Sequence, residues 1–406
     1  MQPVASARKW GCAMPAIMDN KQGLKVLAAG SALQLFLGIL YVWSVFVSPV
    51  SVEYGWAVDS AKLTSSFMLS FFVVGILVGG KLLEKVGSQA VVLAGGLMLA
   101  FGMLTTAFLP NSLAWLMYVT YGIVGGFGVG AAYNAIITAA QKWFPKNRGF
   151  ATGVSVCAFG FSTVVFAPLI ESLVPLLGLR NTFLALSAGF FAIVLALFRF
   201  IRLPGGGAKA GAASSDGRRQ FVVSESIRTP EFYFITLSLM FATAAYFILN
   251  PSFKTFAEER GLGASIGTAL VMLTGIANAL GRLAAPLLSD AMGREKATLS
   301  IISATAVCAL LLSFAPGPLF MVAVAVVAFC YGGYSGIYPV LTAEYFGIEN
   351  VGSNYGAVMV GFALSALTFP MAIGLIADAT AKFIALAILA AVGAALVALL
   401  MATKKK

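Results

Sequence analysis

The sequence is poor in the residue types on which chemistry in water depends. Its 406 residues include no histidine, only 15 Asp and Glu and four Cys, and 10% of them are charged. The absence of histidine excludes imidazole acid–base chemistry and imidazole metal ligands. The cysteines form no C-x-x-C pair, and no paired carboxylates or nucleophile motif stand out. We therefore expect no metal, no cofactor and no enzyme activity.

Apolar residues are what the sequence has in excess. The hydrophobic set makes up 60% of the chain and the mean hydropathy is +0.95, whereas a soluble protein is roughly half apolar and about a quarter charged. A helix that crosses a bilayer core needs roughly 20 apolar residues. Runs of that size recur twelve times along the chain, so we predict an all-α membrane protein with twelve transmembrane helices.

The loops predict the orientation of these helices. If both termini lie on one side, most loop Lys and Arg lie there too, and the opposite loops hold only Arg180, Lys254, Arg260 and Lys382. Basic residues accumulate in cytoplasmic loops. We expect a multi-pass protein of the plasma (inner) membrane with both termini cytoplasmic. The net charge of +11 is then a topology signal, and no nucleic-acid partner is expected.

A Gly/Ala/Ser-rich basic segment, GGGAKAGAASSDGRR, divides the chain. We predict a cytoplasmic tail (1–22), a six-helix bundle (23–202), a cytoplasmic linker (203–231), a second six-helix bundle (232–402) and a basic tail (403–406). Features of the first half recur about 205 residues later, which indicates an internal repeat. The matching positions are Glu84 and Asp290, Gly87 and Gly293, Gly153 and Gly356, and Pro168 and Pro370.

Two segments that contain these repeated positions resemble the signature of the major facilitator superfamily, G-x-x-x-D-R/K-x-G-R/K. Residues 80–88 read GKLLEKVGS and residues 286–294 read PLLSDAMGR. The resemblance implies two six-helix bundles that rock about a central site, with a gate at the cytoplasmic helix ends. A short charged turn that stays in water is the alternative interpretation. The gate residues would be Gly80, Glu84, Lys85, Asp290 and Arg294.

A narrower resemblance covers nearly the whole chain. The segments YVWSVF (41–46), WFPKNRG (143–149) and NYG (354–356) are similar to the oxalate/formate antiporters and the related monocarboxylate transporters. That resemblance implies a small organic anion as substrate and alternating access. In the oxalate antiporters a lysine would stand where this chain has Phe362. A monocarboxylate such as lactate or pyruvate therefore fits better than a dianion, because a second negative charge would stay unpaired.

One charged residue lies inside a predicted span. Arg282 precedes Asp290 by eight residues, so it lies about 12 Å inside the helix. A charge at such depth costs at least about 2.5 kcal/mol and faces the bundle interior or a wet cavity. None of the acidic residues lies in the middle of a predicted helix, although Asp378 is near a span end. We predict that Arg282 binds the substrate carboxylate in two hydrogen bonds, with an internal ion pair or a gating role as alternatives.

Helical spacing selects companions for Arg282. Asn278 lies four residues earlier on the same face, where its amide would donate to a substrate oxygen. The monocarboxylate transporters would have an Asp at that position, so their proton relay does not carry over. Tyr121 and Tyr331 occupy matching places in the fourth and tenth runs and offer phenolic donors, although a membrane tyrosine is also a common interface anchor.

The sequence thus predicts a secondary active transporter of small monocarboxylates that works by proton-coupled symport. The partners would be a small organic anion, a proton and the lipid bilayer. With no histidine and no midspan acid, the proton would use Glu258 or Glu259 near Lys254, or Asp378. Two alternatives stay open: carboxylate exchange of the oxalate/formate type, which needs no protonatable group, and a membrane sensor or channel on the same fold.

Overall fold

The structure, a computed structural model, describes residues 20–204, 219–249, 264–374, 376 and 378–403. Within these ranges the chain is helical and forms no β-strand. Twelve long helices lie in the described ranges. They are α1 (Lys21–Tyr54), α2 (Val58–Val86), α3 (Ser88–Ala107), α4 (Asn111–Trp143), α5 (Arg148–Leu177), α6 (Leu179–Phe200), α7 (Pro230–Leu249), α8 (Ala264–Met292), α9 (Arg294–Leu311), α10 (Gly317–Phe346), α11 (Val351–Gly374) and α12 (Ala379–Thr403).

Most of these helices suit a bilayer. Ten of those described are long and apolar enough to cross a membrane, and the two outside this group are α8 and α9. Helix α9 has 18 residues and begins with Arg294, Glu295 and Lys296, which lowers its mean hydropathy. The predicted all-α class with transmembrane helices is therefore confirmed, whereas the count of twelve spans stays a prediction.

Two glycines of the repeated signature make tight turns between helices. Gly87 connects α2 to α3 with a φ of +82°, and Gly293 connects α8 to α9 with a φ of +96°. Side chains with a Cβ rarely adopt this region of backbone space. The same turn therefore occurs at equivalent places in the two halves, which explains why both copies of the motif keep glycine there.

The helices pack as two groups that follow the order of the chain. Helices α1–α6 contact mainly one another, as do α7–α12, and α5–α8 and α2–α11 make the principal contacts between the halves. Small residues allow close approach within each group: a Cβ at Gly130 of α4 would lie 1.9 Å from the carbonyl oxygen of Phe72 in α2. The predicted limits of the two bundles stay predictions.

Both described ends of the helical body lie on the same side, which we call the terminal side. There Asn20, next to the start of α1, donates to the carbonyl of Trp143 at the end of α4. On that side the halves are linked by hydrogen bonds from Lys142 to the carbonyl of Glu349 (2.9 Å) and from Asn134 to the carbonyl of Gly352 (2.8 Å). The structure is therefore closed at the terminal side.

Two helices depart from α geometry near the middle of the fold. Helix α1 contains a 3₁₀ segment, Gly38–Val42, and α4 contains a 3₁₀ segment, Asn111–Leu116, and a π-helical segment, Tyr118–Gly125. A Cβ at Gly38 would lie 2.1 Å from the carbonyl oxygen of Phe159 in α5. The irregular segment of α1 is thus pressed against α5 and places Tyr41 between the halves.

Candidate substrate-binding site

Arg282 lies at the centre of the interface between the halves. It is 1% exposed although its side chain is charged. Its Nε donates to Asn278 Oδ1 (2.9 Å), and its Nη2 donates across the interface to the hydroxyl of Tyr41 (3.4 Å). The guanidinium also lies over the rings of Tyr41 (5.5 Å) and Phe159 (5.9 Å). Within the described ranges its recorded partners are all uncharged, so no carboxylate from there neutralises it.

A small cavity adjoins the guanidinium. Its volume is ≈ 20 Å³ for the centre of a water-sized sphere, which leaves room for little more than one water molecule. Among its described lining residues, Arg282 alone is charged and five are tyrosines. The lining consists of Tyr41, Phe72, Tyr133, Phe159, Leu239, Thr243, Arg282, Tyr334, Ser335, Tyr338, Tyr355, Met359 and Phe362. A substrate larger than water enters this space only if the walls move apart.

Asn278 orients the arginine in this structure. Its Oδ1 accepts from Arg282, and its Nδ2 donates to the hydroxyl of Tyr246 (3.4 Å). Tyr246 in turn stacks on Tyr331, with ring centroids 3.8 Å apart. Asn278 and Tyr331 therefore lie close to Arg282 but do not line the cavity described here, and their direct contact with substrate stays a prediction.

The other predicted contacts lie in two different places. Phe362 lines the cavity and packs edge-on against Phe247, with centroids 4.9 Å apart. Tyr121 is buried within the first half, where it packs on Trp43 (4.8 Å) and Phe183 (6.1 Å). The structure thus brings Phe362 to the cavity with Arg282 and leaves Tyr121 away from it.

Of the predicted proton-coupling residues, the structure describes Asp378. Lys254, Glu258 and Glu259 lie outside the described residues. Asp378 is exposed and accepts a hydrogen bond from the backbone N–H of Ala381 (2.6 Å) at the start of α12. This is the geometry of a helix N-cap, so the contact recorded for Asp378 is structural.

Asp290 of the second signature copy links the halves. Its carboxylate accepts from the backbone N–H groups of Gly149 (3.2 Å) and Phe150 (3.0 Å) in the first turn of α5, and it pairs with Arg294. An anion is favourable at a helix N-terminus because the first N–H groups have no partner inside the helix. This acid therefore stabilises the closed terminal side.

Glu84 of the first copy occupies the equivalent place. Its carboxylate accepts from the hydroxyl of Ser353 in the first turn of α11. Next to it the backbones are close, since a Cβ at Gly80 would lie 2.4 Å from the carbonyl oxygen of Gly352. Lys85 is exposed beside this contact. Glu84 and Asp290 thus make two interhelical contacts related by the repeat, and their role as a gate stays a prediction.

Several residues of the cavity were not predicted from the sequence. Tyr41 contacts Arg282, and Tyr133 of α4 hydrogen-bonds to Tyr355 of α11 across the interface. The repeat spacing of about 205 residues would have found part of this wall, because it pairs Tyr41 with Tyr246 and Tyr133 with Tyr338. The offset of 206 that relates Glu84 to Asp290 pairs Arg282 with an isoleucine, Ile76. The aromatic wall is duplicated, whereas the cation occurs in the second half alone.

Comparison with known proteins decides the family. The model of the Major Facilitator Superfamily matches residues 28–356 and 235–406. This chain belongs to the major facilitator superfamily. It is therefore a multi-pass integral membrane protein of a transporter family, as its signature segments predicted.

Similar members of the superfamily support the narrower resemblance as well. The chain is 27% identical to an uncharacterized transporter of this superfamily, YhjX of Escherichia coli, over 82% of this chain and 83% of the relative. It is 27% identical to the oxalate:formate antiporter of Oxalobacter formigenes, with 79% and 76% covered. It is 26% identical to monocarboxylate transporter 13 of Bos taurus, with 89% and 84% covered.

A solved structure supports the fold. The fucose:proton symporter FucP of Escherichia coli matches with a TM-score of 0.71 and 15% identity, covering 92% of this chain and 98% of the symporter.

The sequence relatives confirm the predicted similarity to oxalate/formate antiporters and monocarboxylate transporters. The chain is a superfamily transporter related to carriers of organic anions.

Proposed function

We propose that this chain is a secondary active transporter of small monocarboxylates of the lactate and pyruvate class, with Arg282 as the anchor for the carboxylate. One observation carries the proposal: a guanidinium that is 1% exposed has uncharged partners throughout the described residues. A buried charge is costly without an opposite charge. A bound carboxylate would supply that charge and match the planar guanidinium in two hydrogen bonds.

The charge balance of the cavity favours a monoanion. Arg282 is the one charged side chain among the described residues that line it, and Phe362 occupies the position at which the oxalate antiporters would carry a lysine. One fixed cation balances one carboxylate. The aromatic wall would accept the short apolar part of lactate or pyruvate, while the tyrosine hydroxyls offer donors to a 2-hydroxyl or 2-keto oxygen.

Alternating access supplies the transport cycle that we propose. The terminal side is closed by Asp290 at α5 and by Glu84 at α11. With both termini in the cytoplasm and twelve spans in two bundles, this arrangement is an outward-facing or occluded state. Opening toward the cytoplasm would require both acids to leave their helix N-termini while Arg282 keeps the anion.

Proton-coupled symport is the coupling that we propose, and anion exchange is the second candidate. No Asp or Glu is found among the described residues that line the cavity, and exchange needs no protonatable side chain. The name of the related oxalate:formate antiporter also supports exchange as the second candidate. A sensor or channel on the same fold is the remaining alternative, and neither would accumulate substrate against its gradient.

Reconstituted transport separates these candidates. Proteoliposomes containing the full chain should take up labelled lactate faster with an inward proton gradient, and they should do so without internal anion. Uptake that requires internal unlabelled anion and ignores the proton gradient would identify exchange instead. Uptake that never exceeds equilibrium under either gradient would indicate a channel.

Variants at the anchor test the role of Arg282. Removing one partner of a buried charge pair costs roughly 2–5 kcal/mol, so Arg282→Ala should lower kcat/KM for lactate at least about 30-fold. Arg282→Lys keeps the charge but loses the planar fork, and we expect a smaller loss of about tenfold. The control is Arg180→Lys, because Arg180 is 42% exposed and pairs with Glu53 far from the cavity. Full uptake by Arg282→Ala would remove this residue from the site.

A further inference from the structure

A second cavity lies on the terminal side, between the end of α2 and the start of α11. Its volume is ≈ 520 Å³, and it shares no lining residue with the cavity at Arg282. Its wall combines cationic, hydroxyl and apolar side chains. The lining residues are Lys81, Glu84, Lys85, Val222, Val223, Ser224, Ile227, Asn350 and Ser353. Unlike the central cavity, this one lies at the level where the helices end.

The exposed face of α2 leads directly into this cavity. Val74, Val78, Lys81 and Lys85 follow one another at helical spacing and therefore share one face of the helix. Both valines are exposed, by 40% and 36%, and both lysines are exposed as well. In a bilayer this face would set the valines among acyl chains, while the lysine stems reach the headgroup level.

The charges around the cavity leave the two lysines available. No described carboxylate forms a recorded ion pair with Lys81 or Lys85. Glu84 lines the same cavity and accepts from the hydroxyl of Ser353, so its single negative charge leaves Lys81 and Lys85 with a net positive charge. Glu225 lies nearby and accepts from the N–H of Val222 and from the guanidinium of Arg219, which together hold the pKa of Glu225 below its ordinary value. That carboxylate is neutralised by its own neighbours.

A helix N-terminus adds to the positive potential. Helix α11 begins at Val351, and both Asn350 and Ser353 line the cavity, so the first turn of this helix adjoins it. The N–H groups at a helix N-terminus attract anions. Two ammonium groups and a helix N-terminus on one wall, with Val222 and Ile227 exposed on the other, make an amphipathic pocket.

Lysines at these places occur in the first copy of the signature alone, although Lys85 is also one of the predicted gate residues. At the signature offset of 206 residues, Lys81 and Lys85 correspond to Leu287 and Ala291 at the end of α8. The second gate contact, between Asp290 and α5, therefore forms without lysines at these places. Interhelical contact at this level therefore does not require both lysines, and the pair at the end of α2 is available for a function that is specific to the first half.

We propose that this pocket binds an anionic phospholipid from the leaflet on the terminal side. Its phosphate lies between Lys81 and Lys85 beside the start of α11, and an acyl chain follows the face formed by Val74 and Val78. The lipid contacts α2 from the first half and α11 from the second, so it favours the closed terminal side. A free phosphate would satisfy the same cations, but the apolar face that continues from them suits a lipid.

Native mass spectrometry of the full chain in neutral detergent tests this site. The protein is titrated separately with dioleoylphosphatidylglycerol, dioleoylphosphatidylcholine and inorganic phosphate. Each lysine near an anionic lipid surface is worth about a fivefold change in affinity. We therefore expect Lys81→Gln and Lys85→Gln each to weaken phosphatidylglycerol binding about fivefold, and the double variant to weaken it roughly 25-fold.

Two further variants control this measurement. Lys296→Gln removes an exposed lysine at the same level of the second half and should leave binding unchanged. The Lys81→Arg/Lys85→Arg double variant keeps the charge and should bind as the parent chain does. Equal retention of phosphatidylglycerol by the Gln double variant and the parent chain would overturn the site. Equal binding of phosphatidylcholine, or displacement of the lipid by comparable inorganic phosphate, would overturn the assignment to an anionic lipid.

Discussion

The contact between Asp290 and the start of α5 makes a quantitative prediction about the closed terminal side. The carboxylate accepts two backbone N–H bonds, at 3.2 and 3.0 Å, and these bonds exist only while the halves are together. Loss of an N-cap costs about 1 kcal/mol, and the charge at the helix N-terminus contributes roughly a further 0.3–1 kcal/mol. Asp290→Ala should therefore shift the closed-to-open ratio by about 9- to 30-fold toward open.

The isosteric variant keeps part of the cap and removes the charge. In Asp290→Asn the one amide oxygen can still accept one of the two backbone bonds, while the charge and the other bond are lost. We therefore expect a shift of at least about twofold that is smaller than the shift for Asp290→Ala. The order of opening is then Asp290→Ala, Asp290→Asn and the parent chain. Asn20→Ala removes a cap of the same kind at α1, inside one half, and should leave the ratio unchanged.

Double electron–electron resonance measures this ratio. Spin labels at positions 146 and 296, which are exposed on the terminal side of opposite halves, should report a longer distance in the open state. The labels are placed in a chain whose four cysteines are replaced by serine. Distance distributions that are identical for Asp290→Ala and the parent chain would refute the role of this contact in closure.

Three further predictions follow from the cavity and the helix packing. Tyr41→Phe removes the hydroxyl that bonds to Arg282 and should raise KM for lactate uptake roughly three- to tenfold, measured as initial rates in proteoliposomes. Phe362→Lys adds a second cation to the cavity and should increase competition by oxalate relative to lactate; unchanged competition would contradict the charge-balance argument. Gly130→Ala places a Cβ 1.9 Å from a carbonyl oxygen of α2 and should destabilise the fold by about 1–3 kcal/mol, seen as a lower unfolding temperature, whereas Gly189→Ala meets no atom within 4 Å and should not.

The fold class and the buried position of Arg282 could be predicted from the sequence because each rests on a cost that the bilayer imposes. An apolar run of this length forms a helix in lipid, because the helix satisfies its own backbone hydrogen bonds. Arg282 stands out because a charge within such a run is costly in the bilayer core. Helix α9 shows the limit of this argument, because Arg294, Glu295 and Lys296 make its hydropathy ambiguous.

The companions of Arg282 were harder to predict because side chains on other helices decide their roles. Helical spacing correctly put Asn278 next to Arg282, but it did not reveal that the amide would orient the guanidinium toward Tyr41. Tyr121 and Tyr331 were paired by a local Tyr-Gly match, yet the former packs on Trp43 in the first half. The irregular Gly38–Val42 segment has no periodic signal, although it places Tyr41 at the interface.

The single cation in an otherwise duplicated wall has a consequence for the direction of transport. Ile76 and Arg282 stand at equivalent places, so an anion bound by Arg282 would stay with the second half, whichever side of the membrane is open. The same guanidinium would then meet the solute from both compartments. The carrier would run in either direction, with net flux set by the gradients of the anion and of the ion coupled to it.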